Sequence, residues 1–192
     1  MDIFIVFLNT NILLSRSIQR FIDYPYRHTS LAFDAGLQEV YSFGRKRPAN
    51  PFIGGFVKED FTDPFFQQAE CEIYSCPVSN EQSRKMRQLI QAIESAQHLY
   101  GYNFLGLFGV LFQKQFHRQN RFFCVQFVAK VLKAGGLSPT AKPSCLLKPE
   151  ELAGAPGLRL VQQGTLAAYS HIASFPSPLS AVPDSSHLPE SV

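Results

Sequence analysis

The chain has 192 residues, 45% of them hydrophobic and 17% charged, which is enough apolar matter for a buried core and too little charge for a disordered polyelectrolyte. Its 18 basic and 15 acidic residues leave a formal charge of +3, too small an excess to mark a nucleic-acid-binding surface. No stretch approaches the roughly 18 apolar residues of a membrane span, and the start lacks the basic flank of a secretion signal, so no transmembrane segment and a cytoplasmic location are expected.

The opening run Ile3-Phe4-Ile5-Val6-Phe7-Leu8 is uninterrupted and β-rich, the pattern of a central strand buried on both faces. Ile18, Phe21 and Ile22 fall at helical spacing within 15–23, and Pro25 stops that short helix. Tyr26 to Phe33, the turn Asp34-Ala35-Gly36, and Gln38 to Phe43 read as a β-hairpin, with His28 early on its first strand. The segment 44–68 is dense in Gly, Pro and Phe and reads as a long structured loop; its basic run Arg45-Lys46-Arg47 reads as solvated. Ala69 to Val78 alternates as a strand, which turns Cys71 and Cys76 to opposite faces.

Ser79 and Gln82 make a capping box ahead of Met86, Leu89, Ile90 and Ile93, which sets a helix running toward Gly101. Val125, Phe127, Val128, Val131 and Leu132 mark the buried face of a second helix that has Cys124 in its first turns and stops at Gly135-Gly136. A helical turn is expected at Pro149 to Leu152 and a last strand at Leu158 to Val161. One domain spans 1–171, and the Pro- and Ser-rich stretch 172–192 reads as a disordered tail.

Four cysteines (71, 76, 124 and 145) without an export signal argue against a disulfide framework. Cys71 and Cys76 lack a matching second pair, so no structural zinc is expected, and neither is any other metal or organic cofactor. Cys124 differs from the other three by its place at a helix start. The thiolate is the reacting form of cysteine, and the unpaired N–H groups of a first helical turn favour negative charge. Of the five histidines, His28 is the best-placed partner, since a strand can hold its ring rigidly against a thiol.

Two stretches carry a family resemblance. Tyr26-Arg27-His28-Thr29-Ser30-Leu31-Ala32-Phe33 with Glu39-Val40-Tyr41-Ser42-Phe43-Gly44 resembles the histidine hairpin of permuted NlpC/P60 proteins. Phe122-Phe123-Cys124-Val125-Gln126-Phe127-Val128-Ala129 resembles their nucleophile helix. The order, His before Cys, is the reverse of ordinary papain-like enzymes. The likeness spans residues 3 to 165 and is nearest to the YiiX/YaeF-like branch, which includes bacterial proteins with a similar Tyr-Ser-Phe-Gly-Arg-Lys stretch.

The resemblance implies an α+β, circularly permuted papain-like fold, an antiparallel sheet packed against helices, with Cys124 on a helix N-terminus and His28 on the facing sheet. It also implies a cysteine amidohydrolase or peptidase working through an acyl-enzyme. The backbone N–H of Cys124 would serve the oxyanion, with Tyr102 as a second donor. Relatives often place a second His after the catalytic one, and this chain has none there. If Phe33 pairs with Leu37, Ser42 falls opposite His28, which makes Ser42 the first candidate to orient the ring, Glu39 the second and Tyr41 a further one. The substrate expected is a small-molecule or peptide acyl compound, or, in a second reading, a lipid-like one whose acyl chain the Phe-rich stretch Phe52 to Phe66 could seat. From a different class, a binding module could keep the pocket without chemistry.

Overall fold

The computed structural model describes residues 1–9, 24–45, 54–103, 106, 110, 114 and 119–173. Strands β1 (Asp2–Asn9), β2 (His28–Ala32), β3 (Val40–Arg45), β4 (Gly54–Glu59) and β5 (Glu70–Pro77) come first. A short parallel pair follows, β6 (Gly101–Tyr102) with β7 (Arg121–Phe122), and then the last strand, β8 (Arg159–Thr165). The helices are α1 (Pro64–Gln67), α2 (Asn80–Ser95), α3 (Cys124–Ala134), α4 (Pro149–Ala153) and α5 (Leu166–Ala173). Six strands form one antiparallel sheet in the order β4-β3-β2-β1-β5-β8, so the architecture is α+β. The helix expected over 15–23 lies outside the described residues, as does the expected tail apart from its first two positions, which close α5.

β1 takes the central place its apolar run demands, between β2 and β5. Its odd residues Ile3, Ile5 and Phe7 enter a core shared with α2 and α3, and its even residues Phe4, Val6 and Leu8 enter a second core with Cys71, Ile73, Leu166 and Tyr169. Each such side chain contributes roughly 1.5–3 kcal/mol on burial, so one strand anchors both layers. Cys71 and Cys76 fall in different cores, as the alternation requires.

The β2–β3 hairpin forms, with a turn longer than the three residues expected. The Leu37 N–H reaches the Asp34 carbonyl at 3.2 Å, and Leu37 takes a left-handed φ of 52°. The Asp34 carboxylate accepts the N–H groups of Gln38 and Glu39 at 3.0 and 2.8 Å. Phe33 therefore bonds Glu39 rather than Leu37, and Leu31 faces Tyr41. The Tyr169 hydroxyl, from α5, donates to the Ala35 carbonyl at 2.9 Å and clasps this turn from outside.

β4 corrects the reading of 44–68 as a loop throughout. Phe56, Val57, Lys58 and Glu59 pair along β3 despite the flanking Gly and Pro. The last strand also runs four residues past Val161, and α5 follows it directly. α2 opens on the expected capping box, and α3 stops as expected: Gly136 (φ 80°) bonds the Lys133 carbonyl while Leu137 bonds that of Leu132, a left-handed cap that glycine adopts without strain.

Candidate active site

His28 is the first residue of β2 and Cys124 the first of α3, and the fold brings them together although 96 positions separate them in sequence. α3 packs across β2 and β3 through a face that includes Val125, Phe127, Val128, Val131 and Leu132, and this packing carries its N-terminus to the start of β2. The Cys124 thiol lies 3.8 Å from the Arg27 carbonyl oxygen and within hydrogen-bonding reach of the His28 imidazole. Its helix starts without a side-chain cap, so the first-turn N–H groups, which have no partner within the helix, point toward the sulfur's surroundings.

The far side of the ring belongs to Glu59. His28 Nε2 stands 2.6 Å from Glu59 Oε1, while the Ser42 hydroxyl donates to the same oxygen at 2.8 Å and the Ser30 hydroxyl to Oε2 at 2.5 Å. With Nε2 so engaged, Nδ1 is the nitrogen left to face the thiol. The Glu59 side chain is 6% exposed and that of His28 16%, so a substrate can reach the ring but not the carboxylate. Burial by itself favours the neutral form of both groups. It is outweighed at His28 by the Glu59 charge and by hydrogen bonds to Cys124 and Glu59, which leave the imidazole pushed up to about 10. At Glu59 it is outweighed by His28 and the two serine hydroxyls, which hold the carboxyl below its ordinary value.

Glu59 replaces the expected orienting groups. Ser42 does not face the ring, because the longer turn slides β3 by two positions and continues the register so that Ser42 stands opposite Ser30 and Gly44 opposite His28. Ser42 buttresses the carboxylate instead. Glu39 sits at the other end of the hairpin, in an ion pair with Arg87 and accepting from the Tyr41 hydroxyl at 3.0 Å. Tyr41 is thereby engaged too, its ring stacked on Phe56 within the core. Glu59 was hidden by the Gly- and Pro-rich composition around it; the adjacent strand-forming residues Phe56 and Val57 were the local signal of a strand there.

Tyr102 lies near the site, in β6 beside Phe122 two residues ahead of Cys124. Asn103, fully buried, donates its N–H to the Phe122 carbonyl at 3.0 Å and its amide to Gln126 on the first turn of α3 at 3.4 Å. Two glycines permit the close approach. A methyl group on Gly44 would stand 3.2 Å from His28 Cε1, and one on Gly54 would stand 2.8 Å from Tyr102 Cβ and 3.0 Å from the Gly44 carbonyl oxygen. Both neighbours of Gly54 are stiff. Gly54→Ala should therefore lower stability by about 1–3 kcal/mol, read from the urea midpoint; an unchanged midpoint would show that the β4–β6 contact yields freely. Of the basic run expected to be solvated, Arg45 pairs with Gly54 at the end of β3, and Lys46 and Arg47 lie outside the described residues.

A separate cleft of about 400 Å³, lined by Met1, Asn80, Ser83, Arg84, Arg87, Gln88 and Gln91, borders α2 and includes none of these residues. Among the described helices, none is long and apolar enough to cross a membrane. No known protein-family model matches the chain, and a search of curated proteins finds no match.

Proposed function

We propose that this chain is a cysteine hydrolase that cleaves an amide or related acyl bond through an acyl-enzyme, on a circularly permuted papain-like plan of the NlpC/P60 type. One observation carries the reading: a cysteine at the first position of a helix meets an imidazole whose other nitrogen is fixed by a buried carboxylate. Backed by Glu59, the ring holds a proton and can stand as counter-ion when Cys124 reacts as thiolate. The sulfur attacks the substrate carbonyl carbon, and the carbonyl π electrons move to oxygen. That oxyanion is received by the Cys124 backbone N–H, with Tyr102 the candidate second donor. Collapse expels the amine, which takes the proton from His28 and leaves a thioester. Water then attacks the thioester, giving its proton to His28 and releasing the acid, and the sulfur leaves as thiolate.

A lipid ester is the second reading, favoured by Phe65, which stands 55% exposed beside Phe66 on α1. Phe56 and Phe61 of the same stretch lie inside the cores, so the apolar surface offered to an acyl chain is smaller than the composition suggests. Product analysis with peptide and phospholipid substrates separates the two.

Labelling with N-ethyl iodoacetamide tests the shared chemistry. Peptide mapping should find Cys124 modified ahead of the other three cysteines, and His28→Ala should slow that modification about 10²-fold or more, the scale of a positioned acid–base group. Modification indifferent to His28 would overturn the hydrolase reading and leave a binding pocket in which the two residues merely pack.

A further inference from the structure

Glu72, on β5, sits in an arrangement the hydrolysis does not use. The Tyr24 and Tyr74 hydroxyls both donate to its Oε2, at 2.5 and 3.0 Å, and the Gln163 amide donates to Oε1 at 3.2 Å and approaches the Tyr26 hydroxyl at 3.5 Å. The rings around it are set at steep angles to one another: Tyr24 against Tyr26 with centroids 5.3 Å apart, Tyr24 against Phe7 at 6.0 Å, and Tyr74 against Phe7 at 5.6 Å. Glu72, Tyr24 and Tyr74 are half-buried, open to solvent on one side.

A carboxylate can accept about four hydrogen bonds. Three neutral donors fix this one in place without cancelling its charge, and among the described residues no Lys, Arg or His pairs with it. Burial and the neighbouring Glu72 charge push the Tyr74 hydroxyl up to about 12 and the Tyr24 hydroxyl up as well, so both stay protonated as donors. A fixed negative charge walled by aromatic rings attracts a cation twice, through the carboxylate and through the ring quadrupoles.

Position ties this cluster to the thiol. Phe7 of β1 stands opposite Thr29 on one side and Glu72 on the other, so Glu72 and Thr29 are two strand spacings apart, about 10 Å. Thr29 follows His28 directly, and the Arg27 carbonyl before it touches the Cys124 sulfur. The chain from Tyr24 to His28 thus joins the aromatic cluster to the ring that serves the nucleophile.

We propose that Glu72, with Tyr24, Tyr26 and Tyr74, forms a subsite for a positively charged alkylammonium group of the substrate, across β1 from the strand that carries His28. The proposal rests on the reading of Cys124 as nucleophile and names the substrate class: an acyl compound that carries an amine.

Two measurements test it. The chain has seven tyrosines and no tryptophan, so tyrosine fluorescence should report saturable binding of hexyltrimethylammonium, weakened about tenfold by Glu72→Gln, a change that keeps the shape and one acceptor oxygen, in line with a partly exposed cation site. Second, an iodoacetamide bearing a trimethylammonioethyl group should modify Cys124 about tenfold faster than a neutral dimethylbutyl analogue of the same shape, and Glu72→Gln should bring the two rates together while leaving the neutral rate unchanged. No cation preference in the unaltered chain, or a preference that survives Glu72→Gln, overturns the subsite. If the neutral reagent still depends on His28, the nucleophile reading stands without it. If the neutral reagent ignores His28 the nucleophile reading falls, and the fluorescence titration alone then decides whether Glu72 binds cations.

Discussion

Glu59→Ala should slow His28-dependent modification and turnover at Cys124 by about 10²–10⁴-fold, the range over which a positioned acid–base group contributes. It should also lower unfolding stability by about 3–5 kcal/mol, the cost of removing one member of a buried ion pair. Three partners lose their acceptor at once: the His28 imidazolium and the hydroxyls of Ser30 and Ser42. Glu59→Gln separates the two effects. Its amide oxygen can still accept from one partner, so part of the stability returns, but the charge that holds the proton on the ring is gone and the rate stays low. Labelling kinetics and urea midpoints of both variants provide the check. A Glu59→Ala protein that labels at the original rate would show that the carboxylate is structural alone.

The second large effect concerns pH. His28 has a folded value near 10 against an ordinary 6.5, so the protonated ring stabilises the fold fully below about 6.5, and that contribution is lost as pH rises toward 10. Glu59 is held below its ordinary 4.5; its contribution is present above 4.5 and is lost as pH falls below it. The pair's contribution is therefore greatest between these two ordinary values and declines on either side. A double variant, His28→Ala with Glu59→Gln, should flatten both limbs of a plot of urea midpoint against pH, and identical slopes in the two proteins between pH 7 and 9 would refute the ion pair. On the proposed hydrolase reading, a ring already protonated near neutrality would serve as the acid for the leaving amine.

Much of this arrangement is legible in the chain itself. The apolar run of β1, the capping box at Ser79 and the Gly135-Gly136 stop each rest on local rules, and each appears where those rules put it. His28 at a strand start and Cys124 at a helix start follow from the same kind of pattern. What could not be read is what depends on register. Leu37 adopts a backbone angle that its side chain disfavours, held there by Asp34 accepting two N–H groups; nothing about a leucine announces such a turn, and the resulting slide of two residues moves Ser42 off the ring. Glu59 was lost for a related reason, since glycines that look like loop punctuation are instead the places where strand, ring and tyrosine approach too closely for a side chain. The Glu72 cluster joins residues up to 137 positions apart, beyond the reach of any periodicity.

The clasp between Tyr169 and the Ala35 carbonyl joins residues 134 positions apart in sequence. The β2–β3 hairpin pairs through contacts local in sequence, but its tip is fastened from the outside by a residue that follows β8, the strand beside β5. A nascent chain halted before β8 already contains His28, Glu59 and Cys124 and still lacks that fastening. That fastening ties the far end of the hairpin from His28 to the segment that follows the strand at the opposite edge of the sheet.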